Sequence, residues 1–213
     1  MALVDIAKNT DYDVDRTHGT REVVQYIKEN GGAEKILDMF AGDGSFCSWL
    51  LYRSSEELPT INHLEIDRDK FDSLNERFGR NRHNCFNCDS YDWIKKNPVK
   101  YDFIFCDNGM GDNEYFDVIP HLKNVIKEDQ ESWFVHNINV RPYGKFSENK
   151  TWQQKRSHFY GIEETQDCEP VDLLDITAKK LNDSGVVPVY GKLFPRELYD
   201  GHIYLYHALW RVK

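Results

Sequence analysis

The run Ile36-Leu37-Asp38-Met39-Phe40-Ala41-Gly42-Asp43-Gly44-Ser45-Phe46 carries the most legible chemistry of the chain. An apolar stretch ends, glycines follow at alternate positions, and a new segment opens. Gly42 and Gly44 let the backbone turn tightly and approach a ligand closely. A dinucleotide fingerprint would need a third glycine where Cys47 stands. It would also set a pyrophosphate beside the carboxylates of Asp38 and Asp43, which is electrostatically unfavourable. S-adenosylmethionine carries no phosphate. Its ammonium and sulfonium groups are cationic, so an acidic loop of this kind suits it.

Three further carboxylates stand where apolar stretches end. His63-Leu64-Glu65-Ile66-Asp67 closes one stretch, Asn87-Cys88-Asp89-Ser90 follows another, and Tyr101-Asp-Phe-Ile-Phe-Cys106 leads into Asp107-Asn108-Gly109-Met110. A carboxylate at the end of a second strand can accept from both hydroxyls of a ribose. Each of these acids, taken alone, also suits a loop or a helix cap.

The elements that must position these residues alternate strand and helix. Strands are predicted at Lys35 to Phe40, Ile61 to Ile66, His83 to Asn87, Tyr101 to Cys106 and Ser132 to Asn137. Helices are predicted at Arg21 to Glu29 (capped by Thr17), Ser45 to Arg53, Arg68 to Phe78, Tyr91 to Lys96, Glu114 to Ile126 and Val171 to Leu181. Val186 to Leu193 and His202 to Val212 read as two extended stretches whose link is too short for a crossover helix, so they should pair antiparallel. The expected fold is α/β: a seven-stranded, doubly wound, mostly parallel sheet with an antiparallel C-terminal hairpin, in a single domain over residues 1–213. Residues 1–16 read as a loose arm and 139–170 as an insertion or lid.

Asp38-Met-Phe-Ala-Gly-Asp-Gly-Ser-Phe resembles motif I of the class I, Rossmann-like methyltransferases, especially the Asp-x-Phe-Ala-Gly-x-Gly form of nucleic-acid methylases. The resemblance spans about residues 33–138. It implies S-adenosyl-L-methionine as cofactor, with Asp38 and the Gly42 to Gly44 backbone on the methionine end. Glu65 would hold the ribose, with Asp67 one pleat further, and Asp89 would accept from the adenine amine. Phe40, Ala41, Ile66 and Ser90 flank these positions and are expected in the same site.

The chemistry site departs from the family's better-known patterns. Amino-methylating nucleic-acid enzymes carry Asn/Asp-Pro-Pro-Tyr where this chain has Asp107-Asn108-Gly109-Met110, and no Pro-Cys offers a nucleophile for cytosine carbon-5. Asp107 remains as a base or substrate anchor, and His136, near the end of the fifth strand, as a second acid or base. Asn108 and Asn137 adjoin them and are expected to bind substrate. The segment from Arg141 to Tyr160 holds five Lys or Arg residues against one acid, Glu148. Arg141, Lys155 and Arg156 are therefore expected to bind substrate, within a lid over 139–160 closed by Trp152, Phe159 and Tyr160. The expected activity is methyl transfer to a small molecule or nucleic acid. Two alternatives are open: an aminopropyltransferase-like enzyme using decarboxylated S-adenosylmethionine, whose Glu65, Asp89 and Asp107 positions are similar, and a catalytically silent cofactor-binding subunit.

Composition narrows the setting. Net charge is -9, from 36 acids and 27 Lys or Arg, which argues against a general nucleic-acid coat. No apolar run approaches the ~20 residues of a membrane span, and the Asp-rich start lacks a secretory core. With five cysteines, an odd count, the expected compartment is reducing and cytoplasmic. Cys85 and Cys88 lack the second pair a metal site would want and read as packing residues, so no metal is expected.

Overall fold

The computed structural model describes residues 3–6, 18–44, 51, 59–79, 83–107, 115–199 and 202–213. Eight strands form one sheet: β1 (Leu3–Ile6), β2 (Lys35–Met39), β3 (Thr60–Glu65), β4 (His83–Asn87), β5 (Phe103–Cys106), β6 (Ser132–Asn139), β7 (Pro188–Tyr199) and β8 (His202–Val212). The helices are α1 (His18–Glu29), α2 (Arg68–Phe78), α3 (Ser90–Lys96), α4 (Tyr115–Val118), α5 (Lys150–Tyr160) and α6 (Pro170–Asp183). The sheet order is β1-β7-β8-β6-β5-β2-β3-β4. Every pairing is parallel except those of β8, which runs antiparallel to both β6 and β7. Without β1, this is the expected seven-stranded sheet.

Both sheet faces are covered, so the parallel strands read as nearly continuous apolar runs. Alternation along each strand divides them. Ile36, Ile61, Phe103, Phe105 and Val135 pack beneath Val23, Val24 and Ile27 of α1. Leu37, Met39, Ile104, Phe134 and Trp210 pack on the opposite face with Leu173, Leu174 and Leu181 of α6. No helix among the described residues is long and apolar enough to cross a membrane.

Four expectations change. Leu3–Ile6, read as part of a loose arm, is a strand that pairs with β7 from Leu3↔Tyr190 to Ile6↔Leu193. It occupies backbone groups that β7 would otherwise present along an open edge. The helix expected over Glu114 to Ile126 is a short α4 followed by a 3-10 turn, Ile119–Asn124. Pro120 has no N–H to give and its ring clashes with the preceding helical turn, so the α-helix cannot run through it. The segment after β6 holds its own helix, α5, capped by Asn149 and ended by Gly161 at φ 68. β7 extends to Tyr199, which shortens the expected link to β8. The helix expected over Ser45 to Arg53 falls, but for Leu51, outside the described residues.

Candidate active site

The carboxyl ends of β2, β3 and β4 converge through backbone hydrogen bonds. Past Met39 the chain enters the left-handed region three times, at Phe40 (φ 61), Gly42 (φ 62) and Gly44 (φ 74). A bulky residue is rare there and strained by about 1–3 kcal/mol. Phe40 is held by its N–H, which donates to Ser90 Oγ at 3.4 Å, and by its ring, 5.4 Å from that of Tyr91. The neighbouring Ala41 N–H donates to Leu64 O. Gly42 N–H donates to Glu65 Oε2 at 2.8 Å, and Asp67 N–H donates to Glu65 Oε1 at 2.8 Å. The Glu65 carboxylate thus joins the glycine loop to the turn after β3. Asn87 Nδ2 donates to the carbonyls of Glu65 and Ile66, which adds β4. Ile66 is 66% exposed beside this junction, an unusual setting for a large apolar side chain.

Two acids are helix caps. Asp67 accepts from Asp69 N and Lys70 N at the start of α2, and Asp89 Oδ1 accepts from Tyr91 N and Asp92 N at the start of α3. Asp38 is buried, and its Oδ2 accepts from His63 Nδ1 at 2.7 Å. On its other side, His63 Nε2 is hydrogen-bonded to His83 Nδ1 at 2.8 Å. The two rings stack at 5.1 Å, and Phe78 stacks on both. Burial, and then the charge of His63, lower the His83 pKa to about 4 against the pull of Asp38. Burial raises the Cys85 and Cys88 thiols to about 11, so both are protonated at neutral pH as packed side chains are.

The ends of β5, β6, β7 and β8 bring together a second group, on the face under α1. Asp107 is nearly buried between two donors: Asn137 Nδ2 at 2.7 Å from Oδ1 and Arg196 Nη2 at 2.8 Å from Oδ2. Asn137 lies opposite His207 in the β6–β8 register. His207 Nε2 meets Thr20 Oγ1 of α1 at 2.9 Å. Burial lowers the His207 pKa to about 3, aided by Arg196 and opposed by Asp107, so the ring is neutral. Among the described residues, Asn137 Oδ1, both amide atoms of Asn139 and His207 Nδ1 are buried side-chain atoms without a hydrogen-bond partner.

Asp107 and Asn137 therefore meet as expected, but His136 does not join them. Its neighbour Asn137 faces α1, so alternation turns His136 to the opposite face. There it is fully buried, donating from Nδ1 to Asn137 O and accepting from Trp210 Nε1–H. Burial lowers its pKa to about 3. The acid–base role gives way to a packing role. The expected substrate cations are likewise committed elsewhere. Fully buried Arg156 donates to the carbonyls of Asn139, Val140 and Gln166, fastening α5 to the end of β6. Lys155 pairs with Asp117 at 3.4 Å. Arg141 pairs with Asp167 at 3.2 Å and lies 3.9 Å over the Tyr143 ring. Trp152 and Tyr160 are buried, the first against Phe146 and the second against Tyr115, so they build core instead of closing a lid. Asn108 lies outside the described residues.

Sequence reasoning missed Arg196, His207, Asn139, Thr20, His63 and His83. The signal for two of them was parity. His63 sits two residues before Glu65 and Asn139 two after Asn137, so each shares a strand face with a recognised residue.

No protein-family model matches the chain, and no curated protein matches it in sequence. Solved structures match it in fold. TYW2 from M. jannaschii, in complex with AdoMet, is 13% identical, with 97% of this chain and 79% of that one covered and a TM-score of 0.59. The 1,6-didemethyltoxoflavin-N1-methyltransferase of Burkholderia thailandensis, with 1,6-didemethyltoxoflavin and S-adenosylhomocysteine bound, is 14% identical, with 93% and 79% covered and a TM-score of 0.57. The N-methyltransferase NodS of Bradyrhizobium japonicum WM9 is 8% identical, with 92% and 96% covered and a TM-score of 0.56. The fold of this chain is that of the class I, Rossmann-like methyltransferases.

Proposed function

We propose that the chain is an S-adenosylmethionine-dependent methyltransferase acting on a small-molecule or nucleic-acid acceptor. The observation that supports it is the bond from Gly42 N–H to the Glu65 carboxylate. Through it, a glycine loop, an acid and an exposed apolar side chain, Ile66, meet at one edge of the sheet. The donor set fits the cofactor. Asp43, Glu65 and Asp89 give the edge an acidic character that favours a cation and disfavours a diphosphate. Among the described residues nothing lies within 4 Å of where a Cβ on Gly42 would stand, which leaves room for a ligand at the loop.

When bound, S-adenosylmethionine supplies an electrophilic methyl group on a sulfonium. Glu65 would hold the ribose hydroxyls and Ile66 would cover an adenine face. Asp89 spends one oxygen on its helix cap, and the other would accept from the adenine amine. The loop from Phe40 to Gly44 would hold the methionine end, with Asp38 and Ser90 fixing its base. Asp107 would orient the acceptor, taking a hydrogen bond from its amine or hydroxyl and offsetting positive charge that grows there. Arg196 and Asn137 keep that carboxylate in place.

Calorimetry with S-adenosylhomocysteine and with NAD tests this. The expected outcome is binding of S-adenosylhomocysteine, weakened at least tenfold in Glu65→Gln. Tight binding of NAD with none of S-adenosylhomocysteine would overturn it.

A further inference from the structure

Polar atoms buried in a protein almost always find partners, and an exception calls for a cause. Asn137, Asn139 and His207 are 4%, 3% and 0% exposed, yet each keeps at least one side-chain atom without a partner. The three share the α1 face of β6 and β8, at the edge where Asp107 sits. Asn137 and His207 are directly paired across the strands, and Asn139 stands one pleat nearer the strand's carboxyl end.

We infer that Asn137, Asn139 and His207 form the recognition edge for the methyl acceptor, and that the acceptor meets it with a neutral, planar edge bearing an N–H beside a carbonyl or ring nitrogen. The inference rests on the methyl-transfer function proposed above. Its chemistry follows from the orphaned atoms. Asn139, neither of whose amide atoms finds a partner among the described residues, offers a carbonyl oxygen and an amide N–H side by side, which pair best with a donor and an acceptor that are themselves adjacent. Asn137 Oδ1 can only accept. Neutral His207 has its Nε2 engaged by Thr20, so Nδ1 supplies one further bond, as donor or acceptor according to the tautomer.

The same atoms disfavour an anion. A carboxylate or phosphate would bring lone pairs against Asn137 Oδ1 and the Asp107 carboxylate. Arg196 donates from Nη2 to Asp107 at 2.8 Å, so the carboxylate offsets its charge. Of the cations expected to draw an anionic acceptor, Arg156 is bonded to main-chain carbonyls and Lys155 to Asp117. Lactams, cyclic ureides and nucleobases carry the required edge, whether free or within a single-stranded RNA.

Ligand-observed NMR on protein saturated with S-adenosylhomocysteine tests the inference. The probes are uracil, hypoxanthine and 2-pyridone, a mixed-sequence single-stranded RNA, and benzoate and inorganic phosphate as anions. Expected is binding of the heterocycles, the RNA or both, reduced at least fivefold in Asn139→Leu, with the anions silent. Free heterocycles alone would mark a small-molecule acceptor, and RNA alone a base within a strand. Asn139→Leu should bind S-adenosylhomocysteine as the parent does. It should also melt higher, by about 2–4 °C, because it removes unsatisfied buried atoms. Heterocycles and RNA that fail to bind, or bind parent and variant alike, would overturn the inference and leave cofactor binding intact, as would preferential binding of benzoate or phosphate. Failure of the parent to bind S-adenosylhomocysteine would instead overturn the methyl-transfer function beneath it.

Discussion

At the ends of β2, β3 and β4, polar groups answer one another: Gly42 with Glu65, Phe40 with Ser90, Asp38 with His63 and His63 with His83. At the ends of β5, β6 and β8, the side chains of Asn137, Asn139 and His207 keep buried polar atoms without a partner among the described residues, beside a satisfied Asp107. An unsatisfied buried polar group costs about 1–3 kcal/mol. The first region is built largely from main-chain donors and helix caps, so it is in place before any ligand arrives. The second contains amides and a neutral imidazole whose partners must come from elsewhere. A shared cofactor and a variable acceptor would give this division, since one site can be fixed by backbone and the other must be filled by side chains.

The largest test of the comparison removes the ion pair of the second region. Arg196→Met would take the guanidinium away from the nearly buried Asp107 carboxylate. Unfolding in urea should show a loss of about 3–5 kcal/mol, the usual result of breaking a buried pair from one side. A loss below about 1 kcal/mol would mean that Asp107 is better solvated than its burial indicates. In the first region, Glu65→Gln should cost about 1.5–3 kcal/mol in S-adenosylhomocysteine binding, or roughly tenfold to a hundredfold in Kd, and should also lower the melting temperature, because its amide can accept from only one of the Gly42 and Asp67 N–H groups. An unchanged Kd by calorimetry would confine Glu65 to bracing the loop.

The two loop glycines sharpen the comparison at smaller scale. Both lie at positive φ, so an alanine at either costs about 1–2 kcal/mol in backbone strain. At Gly44 the new Cβ would also stand 2.6 Å from Phe78 Cε2 and 3.0 Å from Leu74 Cδ1. Thermal unfolding should therefore find Gly44→Ala less stable than Gly42→Ala, by about 1 kcal/mol or more. Equal stabilities would mean that α2 shifts freely away from the loop.

The smallest effect is that of pH on His83. Its folded-state pKa is about 4, below the 6.5 of an ordinary histidine. The unfolded chain therefore takes up a proton that the folded chain refuses. The stabilising contribution is complete above pH 6.5 and is lost as pH falls from 6.5 to about 4. His83→Gln should flatten the stability profile across that window. A profile with the same slope in parent and variant would assign the acid sensitivity to His136 and His207, whose values near 3 act in the same direction.

The first region was largely legible in the sequence, because its geometry is written in local signals. Glycines at alternate positions, acids at strand ends and cap residues ahead of helices each act within a few residues of their own position. α2 over Arg68–Phe78 and β4 over His83–Asn87 have the predicted bounds for that reason. The second region depends on contacts between distant segments. Arg196 meets Asp107 across 89 positions, and Thr20 meets His207 across 187. The positive charge of the 141–160 segment misled for a related cause. Composition counted Arg156 as a surface cation, while the fold turned it inward onto main-chain carbonyls.

The position of β8 bears on how the molecule assembles. β8 is the last strand in chain order, yet it sits inside the sheet between β6 and β7, and β1 joins only by pairing with β7. A growing chain can close β2 to β5 from neighbouring segments while it is still being made. β6 must wait with one edge bare until residues 202–212 have emerged, and β1 must wait for β7. Folding intermediates should accordingly be protected from hydrogen exchange in β2, β3 and β5 first, and in β8 and β1 last. The exposed edge of β6 during that delay is the place where such a chain would pair wrongly with a neighbour.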